Sequence, residues 1–112
     1  MPNQSVPLIR IFQALADPTR LAVVERLSRG PATVSELAQG FDMALPSFMQ
    51  HLKVLEDGGL VISSKAGRSR TYRIAPQGLK VAEDWLVAQR SIWDRRLDQL
   101  DAFLEQLKEK ES

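Results

Sequence analysis

The 112-residue sequence is long enough for one domain, 1–112, with a modest core. Its 44% hydrophobic and 26% charged residues are ordinary for a globular protein. The absence of cysteine excludes disulfides and thiolate metal sites, and no apolar run approaches the roughly 18 residues that span a bilayer. Residues 1–5 lack the layout of a secretory signal, so we expect a cytoplasmic protein. The net charge of +1 combines +3 over residues 1–76 with −2 over residues 77–112.

Three short helices are predicted in the first 40 residues. Apolar residues recur at helical spacing between Leu8 and Leu15. Asp17-Pro18 then has the form of a helix start, with an acidic N-cap and proline at the first helical position, and Gly30-Pro31 ends that second helix. Thr33-Val34-Ser35-Glu36 has the pattern of a capping box, which predicts a third helix that ends at Gly40.

The fourth predicted helix runs from Pro46 to Asp57 and has one apolar face. Phe48, Leu52 and Leu55 follow one another at spacings of four and three residues, which predicts that they are buried together. The opposite face presents polar side chains to solvent or to a partner: Ser47, Gln50 and Lys53. The third and fourth helices therefore form a helix-turn-helix over about residues 33–57.

A basic β-hairpin, or wing, follows over about residues 60–75. The segments 60–62 and 71–74 have strand-like composition, and Gly67 favours a turn between them. The stretch 60–74 has no acid but has four cations: Lys65, Arg68, Arg70 and Arg73. The fold class is therefore mainly α with a small β-hairpin, a winged helix-turn-helix with five helices. A polar helix beside a basic hairpin suits a DNA phosphate backbone.

A long fifth helix is predicted over about residues 76–108. Its second half has a heptad seam: Trp93, Leu97, Leu100, Leu104 and Leu107. Apolar residues of its first half are expected to pack on the domain: Leu79, Val81, Ala82, Trp85 and Leu86. A helix of about 30 residues is about 45 Å long, more than so small a domain can cover. The seam therefore favours a symmetric dimer, although it could instead fold back on the first helix.

Four motifs in this chain resemble those of the ArsR family of bacterial winged-helix repressors. They occur in the family's order within about residues 8–90: Ala14–Leu21, Val34–Ala38, His51–Leu55 and Gly58–Val61. The resemblance implies a homodimer built from the first and last helices, with recognition helices in successive major grooves and repression released by an effector. We assign the interface to Leu8, Phe12, Trp93, Leu97, Leu100 and Leu104.

The chain departs from the family's usual pattern at the start of the recognition helix. Ala44 and Leu45 stand where serine and a polar residue are common, and Met49 replaces a second serine. Because alanine cannot accept an N-cap hydrogen bond, we consider a cap from Asp42 instead.

Metal sensing is not expected in this chain. The third helix offers no thiolate, and the last helix has acids at residues 83, 84, 94 and 98 but no histidine. Tight transition-metal sites generally use imidazole or thiolate ligands. We therefore predict a non-metal-sensing member of the family without a cofactor.

The predicted function is a DNA-binding transcriptional repressor that recognises double-stranded DNA as a homodimer. The predicted DNA contacts are Ser47, Gln50, His51, Lys53, Lys65, Arg68, Arg70 and Arg73. The arginines could instead protect an edge strand, His51 could be structural, and Arg20 could contact phosphate or be an ordinary surface residue. Trp85 and Trp93 could line an effector pocket, but packing is the simpler role.

Two other classes of function are less consistent with the sequence. A winged helix that binds another protein is the alternative, and the acid-free hairpin argues against it. An enzyme has no support, since the sequence lacks a glycine-rich phosphate loop and a nucleophile elbow.

Overall fold

The structure, a computed structural model, describes the backbone of residues 5–111 and the side chains of residues 7–111. Most of the N-terminal stretch in which no secretory signal was found, residues 1–4, lies outside the described residues. The chain divides into two compact units, Met1–Ala82 and Glu83–Ser112. The described part of the first unit is a winged helix-turn-helix, and that of the second is helical.

Both sequence-predicted helix caps are confirmed. The first three helices are α1 (Ser5–Leu15), α2 (Pro18–Leu27) and α3 (Val34–Ala38). The Asp17 carboxylate accepts a hydrogen bond from the backbone N–H of Arg20 at 3.0 Å and so caps α2. Thr33 and Glu36 form the complete capping box of α3, because each side chain accepts from the other residue's backbone N–H.

The fourth helix, α4 (Leu45–Asp57), begins without a side-chain cap. Its N-cap is Ala44, which makes no such hydrogen bond, so the considered cap from Asp42 is wrong. Pro46 lies in the first turn, where the absence of an N–H leaves one donor fewer to satisfy. The predicted buried face is confirmed by three side chains with no exposed surface: Phe48, Leu52 and Leu55.

The wing belongs to a three-stranded antiparallel sheet, whereas the sequence predicted two strands. Its strands, in the order β1-β3-β2, are β1 (Ala32–Thr33), β2 (Val61–Ala66) and β3 (Ser69–Ile74). The backbone of Thr33 is extended because it caps α3, and this conformation lets it pair with Thr71. A two-residue strand has no alternation that sequence analysis could detect.

The hairpin strands are longer than predicted and leave only Gly67 and Arg68 in the turn. Gly67 has a φ of +64°, which glycine adopts without a steric penalty. Two-residue hairpin turns with glycine first match the twist of the strands. The sequence placed Lys65 and Arg70 between the two strand segments, whereas they lie in β2 and β3 as a cross-strand pair next to the turn.

The last helix, α5 (Pro76–Glu111), starts in the first unit and supplies all of the described second unit. Leu79 and Ala82 pack against the core, as predicted. Val81 is exposed, so that part of the packing prediction is wrong. Trp85 and Leu86 belong to the second unit, and their side chains are also largely exposed.

The core of the first unit joins α1, α2 and α4 to the sheet. It is apolar, and no charged side chain is buried within the described range. The hydroxyl-bearing Tyr72 belongs to this core. Over residues 5–111, none of the helices is apolar enough over a sufficient length to cross a bilayer.

Candidate nucleic-acid interface

The outer side of α4 carries the polar residues that were predicted to contact bases. The buried apolar stripe fixes the rotation of the helix about its axis. At the helical repeat, Gln50 and Lys53 lie nearly opposite that stripe and Ser47 lies to one side, and all three are exposed. Met49 is half-buried and packs against the core, so it is turned away from this surface. We call Ser47, Gln50 and Lys53 the polar ridge.

The register of the hairpin separates the four cations of the wing. Lys65 and Arg70 are direct cross-strand partners, and alternation along β3 places Arg70 on the same face as buried Tyr72. Arg73 follows Tyr72 in the strand and therefore points to the opposite face. Arg68 occupies the turn. These cations therefore lie on two faces of the hairpin and at its tip.

A chain of hydrogen bonds connects the wing to the last turn of α4. Arg70 Nη1 donates to Ser63 Oγ at 2.8 Å, and the Ser63 hydroxyl donates to Glu56 Oε2. Glu56 is the second-last residue of α4, and Ser63 lies in β2. We call these three residues the helix–wing bridge. Arg70, which was predicted to contact DNA, uses one of its five N–H groups here.

Tyr72 lies beside the helix–wing bridge, and the charges of the bridge residues change the pKa of its phenol. Burial raises the pKa of the Tyr72 phenol, and the nearby Glu56 carboxylate raises it further. The Arg70 guanidinium and a hydrogen bond with Ser63 act on this pKa in the opposite direction. The phenol therefore lies within the electrostatic reach of all three bridge residues.

A second polar cluster joins α1, α2 and α4 through Arg20. Its Nε donates to the carbonyl of Ala14 at 2.7 Å, and its Nη2 donates to the carbonyl of Gln13 at 3.2 Å. Its Nη1 lies 3.1 Å from His51 Nδ1, which must accept because a guanidinium only donates. Arg20 is thus a structural residue that satisfies carbonyls at the C-terminal end of α1, a role that the sequence analysis did not weigh.

His51 faces this cluster, and its Nδ1 is also 3.7 Å from Asp17 Oδ2. The hydrogen bond from the Arg20 backbone N–H lowers the pKa of the Asp17 carboxyl, and the charge of the Arg20 guanidinium lowers it further. Because Nδ1 accepts from Arg20, Nε2 is the ring nitrogen that remains for a phosphate. The predicted DNA contact by His51 therefore depends on that single atom.

Two of the three bridge residues were missing from the sequence predictions. Glu56 and Ser63 are seven residues apart, and an acid and a serine at that spacing indicate no motif. Their contact depends on how β2 returns past the end of α4 after Gly58-Gly59. The Arg20–His51 contact spans 31 positions and was equally hidden.

The residues predicted at a dimer interface are accessible in the single chain, each within its own unit. In α1, Leu8 is half-buried and Phe12 is exposed, while the neighbouring Ile11 is in the core. In α5 the seam side chains expose about half of their surface, from 43% at Leu107 to 62% at Trp93. The other predicted seam residues are also exposed: Leu97, Leu100 and Leu104.

Over the part of the chain that the structure describes, no group of three or more His, Cys, Asp or Glu side chains could hold a metal ion. An open cleft of about 630 Å³ lies between α1 and α4. Arg10, Arg20 and Asp57 contribute to its lining, so it is charged and open to solvent. Small-molecule sites are usually enclosed and mostly apolar.

Comparisons with known proteins agree with this architecture. A helix-turn-helix domain family matches residues 15–63. The crystal structure of an ArsR family transcriptional regulator is 55% identical in sequence and superposes with a TM-score of 0.78 over 84% of this chain and 97% of that one. The chain belongs to the ArsR family.

Two further helix-turn-helix proteins are also similar to this chain. The HTH-type transcriptional regulator Rv2034 of Mycobacterium tuberculosis is 50% identical over 70 residues, which are 62% of this chain and 65% of that protein. The chain thus spans just under two thirds of this curated relative's length. A solution structure of a homodimeric winged helix-turn-helix DNA-binding domain from Mycobacterium bovis is 31% identical, with a TM-score of 0.60 and 83% of each chain covered. These relatives are regulators and DNA-binding domains, which are not enzymes.

Proposed function

We propose that this ArsR-family protein is a homodimeric, cytoplasmic repressor that binds an inverted-repeat operator in double-stranded DNA. The observation that carries the proposal is the polar ridge of α4 beside a wing with no acid between residues 60 and 74. The relatives named as regulators support this function over a winged helix that binds only proteins.

The polar ridge would enter the major groove. Gln50 can pair bidentately with adenine, and Ser47 can donate to or accept from several bases. Lys53 lies on the same side and suits a phosphate at the groove edge. Leu45 and Val54 are also exposed on α4 and could contact thymine methyl groups. His51, through Nε2, would add a contact beside the ridge.

The wing would contact the flanking backbone. Arg68 is the strongest candidate because it occupies the turn and is exposed. Lys65, Arg70 and Arg73 would add phosphate contacts, with Arg73 reaching from the other face of the hairpin. Neutralising phosphates releases counterions, so the affinity should depend steeply on salt.

Dimerisation would follow from the exposed seam of α5 together with Leu8 and Phe12 of α1. The homodimeric relative supports this assembly. Two recognition helices related by a two-fold axis read half-sites about one helical turn apart, which requires an inverted repeat. Repression would result from occlusion of the promoter, without any chemistry on the DNA.

The regulatory signal would not be a metal ion, and no cofactor is required. The chain has no cysteine and one histidine, and the Nδ1 of that histidine already accepts from Arg20. Thiolate ligands for a transition metal are therefore absent, and the single imidazole is already engaged with Arg20. Added zinc or arsenite should leave the DNA affinity unchanged in a gel shift, and a release of DNA by either would contradict this assignment.

The function is tested by a gel shift with the DNA upstream of the protein's own gene. Wild type should bind, and its affinity should fall by about three to five decades between 50 and 200 mM salt. Arg68→Ala should weaken binding to all sequences and reduce the salt dependence by about one phosphate contact per subunit, or about two per dimer. Arg29→Ala, an exposed arginine after α2, is the matched control and should bind normally.

Gln50→Ala tests the base-reading role separately. It should relax the preference at one position of each half-site, with a discrimination loss of about 1–3 kcal/mol. Uniform weakening on every sequence would contradict base reading by Gln50. Failure of wild type to bind any upstream fragment, even at low salt, would overturn the proposed function.

A further inference from the structure

Two other polar side chains of α4, Glu56 and His51, lie on either side of the polar ridge. Glu56 lies on the side of the helix that meets β2, where it accepts the Ser63 hydroxyl. His51 lies on the other side, where it accepts from Arg20. Gln50 projects between these two contacts. The wing is thus attached to α4 by side-chain hydrogen bonds as well as by the turn at Gly58-Gly59.

We propose that Glu56 and Ser63 are positioning residues for DNA binding, which act by holding Arg70 and the wing at a fixed place relative to the polar ridge. This inference rests on the proposed function. Ser63 is central because its hydroxyl oxygen accepts a hydrogen bond from Arg70 while its O–H donates a hydrogen bond to Glu56. One hydroxyl group therefore connects β3, β2 and α4.

If only its charge mattered, Glu56 would oppose DNA binding instead of supporting it. A carboxylate beside a DNA-binding wing repels phosphates, so its removal should strengthen binding. If Glu56 instead holds the wing in place, its removal should weaken binding although the protein becomes more positive. The sign of the change therefore separates a positioning role from simple electrostatics.

The first experiment measures operator affinity for Glu56→Ala and for Asp57→Ala at one salt concentration. Asp57 is the matched control, because it is the next residue, is also exposed and contributes to the cleft beside α1 instead of the bridge. We expect Glu56→Ala to bind about threefold more weakly, the scale of an exposed charged contact. Asp57→Ala should bind as wild type or more tightly. Tighter binding by Glu56→Ala would overturn the proposal.

Conservative variants separate the hydroxyl group from the volume of the side chain. Ser63→Ala should weaken binding as Glu56→Ala does, whereas Ser63→Thr keeps the hydroxyl and should retain affinity. Combining Glu56→Ala with Arg70→Ala should cost less than the two single changes together, because either one already breaks the bridge. Strict additivity would contradict the bridge.

A measurement without DNA keeps this proposal separate from the proposed function. Hydrogen exchange of the β2 and β3 amides should be about threefold faster in Glu56→Ala and Ser63→Ala, with unchanged exchange in the core of α4. Equal wing exchange in wild type and both variants would overturn the bridge whether or not DNA binds. If wild type does not bind DNA but the variants show faster wing exchange, the proposed function is rejected and the bridge is retained.

Tyr72 provides a local probe because it is the chain's single tyrosine. Phenolate absorbance during an alkaline titration should show a lower Tyr72 pKa in Glu56→Ala. It should show a higher pKa in Arg70→Ala and Ser63→Ala, since these groups lower it in the wild type. An unchanged titration in all three variants would show that the bridge residues do not lie beside the phenol and would overturn the arrangement.

Discussion

The backbone carbonyl of Gly59 lies directly against Gly78, near the start of α5. A Cβ added at Gly78 would be 2.1 Å from the Gly59 oxygen, well inside any van der Waals contact. Gly59 itself has a φ of +80° and turns the chain from α4 into β2. This contact fixes the beginning of α5 against the turn that separates α4 from the wing.

Gly78→Ala should therefore destabilise the protein by about 2–3 kcal/mol, because backbone must move to admit the methyl group. Its melting temperature should fall by roughly 10 °C. Gly40→Ala is the matched control, since its Cβ would lie an ordinary 3.7 Å from the Leu37 carbonyl. That variant should stay within about 0.5 kcal/mol of wild type. Equal thermal stability of the two variants in a calorimeter would contradict the close approach.

Arg20→Lys should also lower stability, although it preserves the charge. Lysine has a compact ammonium group and cannot reach the two α1 carbonyls and His51 in the fork geometry of a guanidinium. We expect a loss of about 1–2 kcal/mol in urea denaturation, mainly from carbonyl groups left unsatisfied. Arg29→Lys, at an exposed position, should be neutral. A phosphate-binding surface role for Arg20 would instead leave stability unchanged.

Much of the fold was predictable because its signals are local. The caps at Asp17 and Thr33 depend on residues no more than three positions apart, and both hydrogen bonds are present. The buried face of α4 follows from helical periodicity. The position of Gly67 at the turn follows from glycine's tolerance of positive φ. The wing predicted from the composition of residues 60–75 is also present, with longer strands.

The remainder depends on contacts between distant segments. Strand β1 is only two residues long and forms because the extended cap residue meets β3. The helix–wing bridge and the Arg20 cluster join residues whose proximity is set by tertiary packing. A basic cluster in sequence could not show that Arg70 donates to a serine while Arg73 points to the other face.

Acid should destabilise the protein through its two helix-capping carboxyls. Backbone N–H groups lower the pKa of Asp17 and of Glu36, with a further hydrogen bond from the Thr33 hydroxyl at Glu36. Since the folded-state pKa is depressed, their contribution is present above the unfolded-state pKa of about 4 and is lost as pH falls through the folded value.

The variants Asp17→Asn and Glu36→Gln should therefore flatten the acid limb of the stability–pH curve measured by urea denaturation. Asparagine is itself a good N-cap, so the first variant should change stability little at neutral pH. An acid limb that is identical in wild type and both variants would show that other groups control unfolding in acid.

The exposed seam of α5 predicts that a single charge can separate the subunits. Leu100 lies in the middle of the seam, and Ala102 lies almost opposite to it on the same helix. Leu100→Glu should raise the dimer dissociation constant by about 100-fold, because each subunit loses about 1.5 kcal/mol of leucine burial. Ala102→Glu introduces the same charge and should remain dimeric. Analytical ultracentrifugation distinguishes the two, and a dimeric Leu100→Glu or a monomeric Ala102→Glu would place the interface elsewhere.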